Sequence, residues 1–128
     1  MDDSILQTIK KLLGLDAAYT PFDQDIIVLI NSVFMTLHQL GVGPEKGFSI
    51  KDYTSKWSDF LTNDVNLNAV QQYVYMKVRM VFDPPGNSFV MEALKENCKE
   101  IEWRLNVQAE SVETFDFIND NDGFPRIE

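Results

Sequence analysis

The chain predicts an all-α fold: a small bundle of about four to five helices around a helical hairpin, followed by a flexible acidic C-terminal tail. Three observations predict it. Apolar residues recur in steps of three and four along several separate stretches, the spacing that keeps one face of a helix toward a core. Two of those stretches are joined by Asp83-Pro84-Pro85-Gly86, a link that no helix crosses. A hydrophobic content of 45% in 128 residues is enough for one domain with a real core, while the acidic charge gathers at the C-terminal end.

The first element is expected from Ser4 to Leu13, with Ile5, Leu6, Ile9, Leu12 and Leu13 on one side. Asp2 and Asp3 near its start and Lys10 and Lys11 near its end suit the helix dipole, and Gly14 stands where a left-handed closing residue belongs. After a polar link from Leu15 to Tyr19, the second helix carries the clearest start signal in the chain. Thr20 is the expected N-cap, Pro21 the first helical residue, and Asp23 the acidic residue three positions on. This helix runs to about Leu40, with Ile26, Ile30, Val33, Leu37 and Leu40 in line and Ile27 and Phe34 beside them, a stripe wide enough for a buried helix. Gly41 ends it, and Gly41 to Gly47 reads as a loop. Phosphate binding there fails on the motif: Lys46 is followed by Gly47-Phe48, not by the Ser or Thr of a P-loop. Phe48 to Tyr53 reads as a short extended piece and Thr54 to Leu61 as a brief helix with Trp57, Phe60 and Leu61 turned inward, broken at Asn63-Asp64.

The hairpin from Leu67 to Leu105 organises the rest. Its first helix presents Leu67, Val70, Val74, Val78 and Val81; its second presents Val90, Leu94, Cys98, Ile101 and Leu105. The two prolines remove two backbone donors and disfavour helical dihedrals before each, so the first helix should end at Phe82 or Asp83. Asn87 or Ser88 can cap the restart. The second helix is expected to fray near Val107 to Glu110, which gives a helical body over residues 1–110 and a tail over 111–128. In that tail Phe115, Phe117, Ile118 and Phe124 punctuate a polar stretch without sustained period.

Formal net charge is -9. From Gln108 to the end six acids face Arg126 alone, net -5; the preceding part has 14 acids against 10 bases, net -4. Gripping nucleic acid by its phosphates takes clustered Lys and Arg, and this balance argues against it. The longest uninterrupted apolar run, Ile26 to Ile30, is far short of the roughly 20 residues that cross a bilayer, so no membrane partner is expected. Met1-Asp2-Asp3-Ser4 lacks the basic start of a secretory signal, and production in a cytoplasm is expected.

No catalytic, metal or cofactor set emerges. His38 is the only histidine and Cys98 the only cysteine, which rules out an intramolecular disulfide and falls short of a metal ligand set. Cys98 lies on an apolar line, where a free cysteine acts as a small hydrophobe. Asn119 to Gly123 fails as a calcium loop, because a glycine at position six puts Ile118 where a carboxylate belongs. Glu92, Glu96 and Glu100 run along one side of the last helix beside Lys95, Lys99 and Arg104, either as a solvated face or as a charged seam between subunits. Tyr73, Tyr75, Met76, Met80 and Trp103 lie partly off the main stripes. In a monomer they would widen the core; in an oligomer they would make a subunit contact, together with Glu96, Glu100 and Arg104.

Three blocks carry a resemblance: Ile30-Asn31-Ser32-Val33-Phe34-Met35-Thr36-Leu37 running into Gly41-Val42-Gly43-Pro44; Tyr73 to Arg79 followed by Phe82-Asp83-Pro84-Pro85; and Glu102-Trp103-Arg104-Leu105. In order and spacing, over roughly Ser4 to Asn106, the chain resembles the small head-tail connector proteins of tailed bacteriophages and prophages. The resemblance implies a non-enzymatic structural subunit in the virion, forming a ring with copies of itself beneath the portal protein. Such a ring would extend the channel through which DNA passes and would offer a platform to the next head-completion or tail protein. It also implies a terminal extension that docks on the portal, a role that falls here to Phe115, Phe117, Ile118 and Phe124. The alternative suggested by charge and size is an acidic DNA mimic or inhibitor that occupies a basic partner.

Overall fold

A computed structural model of the protein describes residues 3–61 and 64–120, with side chains over 3–61 and 66–107. Five helices follow one another: α1 (Ile5–Leu12), α2 (Asp23–Gln39), α3 (Trp57–Phe60), α4 (Asp64–Phe82) and α5 (Ser88–Asp120). No strand occurs among the described residues; Ser4 and Lys56 form a single isolated bridge. The all-α expectation therefore holds. α4 is the central element: α1, α2 and α5 each pack on it, and α5 packs chiefly there.

α1 begins where the sequence places it. The Ser4 hydroxyl accepts from the Gln7 amide at 3.2 Å, and Ile5, Leu6 and Ile9 are buried. Gly14 follows at φ 86, the left-handed region that glycine enters without a Cβ penalty. Lys10 does not behave as a solvated last-turn lysine. It is wholly buried; its ammonium donates to the Ala17 carbonyl at 3.0 Å and the Tyr19 carbonyl at 2.7 Å and is ion-paired with Asp23 Oδ1 at 2.9 Å.

That ion pair also moves the start of α2. The helix begins at Asp23, with Phe22 as a cap residue that contributes no side-chain hydrogen bond, and not at Pro21 behind a Thr20 cap. Asp23 turns its carboxylate to Lys10, while its amide bonds the Thr20 carbonyl in a preceding turn. The core stripe of α2 is as expected, with Ile26, Ile27, Ile30, Val33, Phe34 and Leu37 buried.

Phe48 to Tyr53 pairs with no strand. Its anchor is one side-chain amide: Asn31 Oδ1 accepts from the Ile50 amide at 2.7 Å, and Asn31 Nδ2 donates to the Ile50 carbonyl at 3.0 Å. This double bond seats Ile50 in the core and brings Phe48 within 5.1 Å of Phe34, ring centre to ring centre. The brief helix is shorter than expected, four residues, with Trp57 and Phe60 buried and Leu61 half-buried. Trp57 Nε1 donates to Thr8 Oγ1 at 3.1 Å, tying α3 to α1. Gly43, at φ +98, lies so close to the Phe60 ring edge that a Cβ there would overlap it. The expected break and cap at Asn63-Asp64 falls at residues whose placement or side chain lies outside the described residues.

α4 ends at Phe82, before the two prolines, and Asn87 caps α5 by accepting from the Phe89 amide at 2.7 Å. Val70, Val74 and Val78 are buried and Leu67 half-buried, but Val81 is 66% exposed and Val90 40%. At that end of the bundle the cover is Phe22, which meets Phe82 edge-on at 5.4 Å, and both valines fall outside it. On α5, Leu94, Cys98 and Leu105 are buried. The helix continues past Val107 to Glu110, where fraying was expected, as far as Asp120. No glycine or proline stands between Ser88 and Gly123 to stop it. The side chains of the expected tail anchors Phe115, Phe117 and Ile118, and all of Phe124, lie outside the described residues.

Candidate subunit interface

The seam between α4 and α5 runs antiparallel, as the short link requires, and pairs Tyr73 with Glu102. The Tyr73 hydroxyl donates to Glu102 Oε2 at 2.6 Å, and Lys77 Nζ lies 4.0 Å from the same oxygen and 5.9 Å above the Tyr73 ring. Burial, reinforced by the bond to the Glu102 carboxylate, pushes the Tyr73 hydroxyl well above the ordinary phenol value. Cys98 shares this seam, is 3% exposed, and has its thiol pushed up by burial foremost. A raised, buried thiol is a poor nucleophile, in keeping with its reading as a small hydrophobe.

The expected contact residues divide. Tyr73 is fully buried and Met76 nearly so, which places them in the core of the subunit, although Met76 still lines the larger groove along the α4/α5 seam. The reason is geometric: α4 packs against both α2 and α5, so its buried arc, which takes in Tyr73 and Met76 beside Val70, Val74 and Val78, is wider than one stripe. Tyr75 and Met80 are half-buried, and Tyr75 accepts from Arg79 Nη1 at 3.2 Å. Glu96 is exposed, Glu100 and Arg104 are exposed and ion-paired at 2.7 Å, and Trp103 is 67% exposed.

Beside this outer row the α4/α5 seam opens into two adjoining shallow grooves of about 380 and 260 Å³. Ala69, Ile101 and Arg104 line both, while Asn68, Gln72 and Asn97 give the larger a rim of uncharged amides and Trp103 borders the smaller. Grooves this open and shallow suit a protein surface better than an enclosed small molecule. Among the described residues no group of three or more His, Cys, Asp or Glu side chains is placed to hold a metal ion. His38 is exposed, and its Nε2 donates to the Glu45 carbonyl at 2.9 Å, pinning the glycine-rich loop to α2. Among the described residues no helix is long and apolar enough to cross a membrane.

Two features escape a search for apolar periodicity. One is the Lys10 staple. The other is the outer face of α2, where Val28 is 66% and Met35 65% exposed and where no Asp, Glu, Lys or Arg occurs from Ile26 to Gln39. The signal for it is an absence of charge in a chain that is 24% charged.

A helical subunit whose most distinctive exposed features are an aromatic on an outer helix, amide-lined open grooves and an uncharged helix face presents surface of the kind that protein contacts use. The phage connector protein family matches residues 5–112, and the chain belongs to that family. The family is structural, and membership implies links to other proteins of the phage head or tail. No curated protein and no solved structure matches the chain.

Proposed function

We propose that the chain is a non-enzymatic adaptor subunit of a tailed-phage virion, assembling as a ring beneath the portal at the capsid vertex, extending the DNA channel and receiving the next head-completion or tail protein. The observation that carries this reading is the outer face of α5 in a member of the connector family. α5 packs chiefly on α4 and leaves Trp103, Glu96 and the Glu100–Arg104 pair outward, a surface larger than folding requires. A closed ring needs two different contact faces on each subunit, related by rotation. Tyr75, Met80, Glu96, Glu100, Trp103 and Arg104 are the residues proposed for one of them. A net charge of -9 suits a channel through which DNA passes without being held, since an acidic wall repels phosphate.

Residues 1–110 form the connector body in this reading, and residues 111–128 the portal-docking segment anchored by Phe115, Phe117, Ile118 and Phe124. Apolar anchors spaced along a short segment are the usual means by which a peptide is taken into a groove. The test is binding of the full chain, and of a chain lacking residues 111–128, to DNA-filled heads that lack this protein. Joining by the full chain and loss of joining on truncation are expected. A full chain that joins no heads overturns the adaptor reading, and undiminished joining by the truncated chain overturns the docking role of the tail.

A further inference from the structure

α2 is the least charged exposed helix of the molecule. Gln24, Val28, Ser32, Met35 and Gln39 follow one another at steps of four, four, three and four, which sets them on one outward row; all five are exposed. Charged residues are what a solvated helix face normally carries, and their depletion, with methionine present, marks surface that becomes covered. Ser32 is smaller than Val28 and Met35 on either side of it, the size pattern into which a large side chain of a facing helix packs.

The matching knob is Trp103. It stands on α5 with Val107 one turn further on, itself 37% exposed; beside it Glu100 and Arg104 neutralise each other at 2.7 Å, and Lys99 is exposed one turn before it. Setting this patch against the uncharged row of α2 brings no like charges together, a juxtaposition that would oppose the contact. α2 and α5 each pack on α4, and a contact between copies would set α2 of one against α5 of the next. We propose that the Val28–Ser32–Met35 face of α2 receives Trp103 and Val107 of a second copy, head to tail, and that this is the repeated seam of the assembly. The proposal rests on the adaptor reading above and adds the face that reading lacks.

The size of the seam sets its behaviour. A helix of 17 residues is about 26 Å long, and a face about 10 Å wide along it offers about 260 Å², against the roughly 800 Å² per partner of a stable interface. A single such contact is weak, and association of the free chain should require high, about millimolar, concentration.

The experiment uses Met35→Glu and Trp103→Glu, both at exposed positions, with circular dichroism to show that the fold is kept. Sedimentation velocity at about millimolar concentration, well above the Kd of a weak contact, should show the wild-type chain associating and each variant monomeric. An equimolar mixture of the two variants should form dimers that grow no further, because each supplies the one intact face the other needs. Variants that assemble like the wild type, a mixture that stays monomeric, or a wild-type chain that remains monomeric at that concentration overturns the seam. Joining to heads is read in parallel on the wild-type chain and on both variants: joining with no dependence on either substitution overturns the seam alone, whereas no joining by the wild-type chain overturns the adaptor reading.

Discussion

The hydroxyl of Tyr73 donates to Glu102 at 2.6 Å, across the seam where α5 packs on α4. A hydrogen bond from a buried hydroxyl to a carboxylate fixes the register of two helices more sharply than apolar contact does, because sliding by one turn leaves the buried hydroxyl unpaired. The seam therefore sets where Trp103, one residue further along α5, stands on the outer surface.

Tyr73→Phe removes that bond while keeping the ring, and about 1–3 kcal/mol of stability is expected to go with it. It should also change the alkaline limb of stability. In the folded chain Tyr73 keeps its proton above the ordinary phenol value of about 10, while the unfolded chain releases it there. The native state then binds more protons than the unfolded one, and stability falls as pH rises beyond about 10. Urea unfolding at a series of pH values should show this fall in the wild type and a shallower one in Tyr73→Phe; parallel slopes would contradict the assignment.

Lys10→Met leaves the methylene packing largely in place but strands the Ala17 and Tyr19 carbonyls and unpairs Asp23, which is 22% exposed. Breaking a buried pair from the more buried side costs about 3–5 kcal/mol. Asp23→Asn keeps an acceptor for the ammonium and should cost distinctly less. Urea midpoints for the two variants decide between them: equal losses would show that the charge of Asp23 carries the whole effect and the two carbonyl bonds none, and an unchanged midpoint in Asp23→Asn would show the charge pair to be idle.

Gly43 and Gly14 both hold positive φ, yet only Gly43 is crowded. Gly14→Ala should cost about 1–2 kcal/mol, the backbone penalty alone. Gly43→Ala adds an overlap with the Phe60 ring, and about 1–3 kcal/mol more is expected, together with altered near-ultraviolet dichroism from the packed Phe34, Phe48, Phe60 and Trp57 rings. Equal losses at the two positions would place Phe60 elsewhere.

Much of this architecture is written in local patterns. Ser4 and Gly14 bracket α1, the Pro84-Pro85 pair stops α4 at Phe82, and Asn87 restarts the chain, because capping and proline effects act within a few residues. The departures arise where a distant group competes. Asp23 satisfies the N-cap pattern with Thr20, but Lys10 offers it a full charge and takes it. Tyr73 and Met76 sit off the main stripe of α4, and that stripe says nothing of a second helix covering the adjoining face. The outer face of α2 was hidden for a different reason: apolar spacing records what is present, whereas Val28, Ser32 and Met35 are marked by the charges their helix lacks.

That lack of charge makes a last prediction about ionic strength. On α5 Glu100 is compensated by Arg104 at 2.7 Å and Glu92 by Lys95 at 3.5 Å, and Glu96 stands near the oppositely charged Lys99; on α2 Asp23 is paired with Lys10 at 2.9 Å, which leaves Asp25. Raising salt from about 0.1 M to about 1 M shortens the screening length from about 10 Å to about 3 Å, which weakens contacts made by net charge and leaves apolar ones intact. Self-association should therefore hardly change with sodium chloride and should strengthen with sulfate, which favours burial of apolar surface. A DNA mimic works the other way, since its hold on a basic partner depends on unscreened carboxylates. Sedimentation of the wild-type chain across the salt series reads the difference, and assembly that dissolves steeply as sodium chloride rises would show that charge, and not the Trp103 and Met35 faces, holds the copies together.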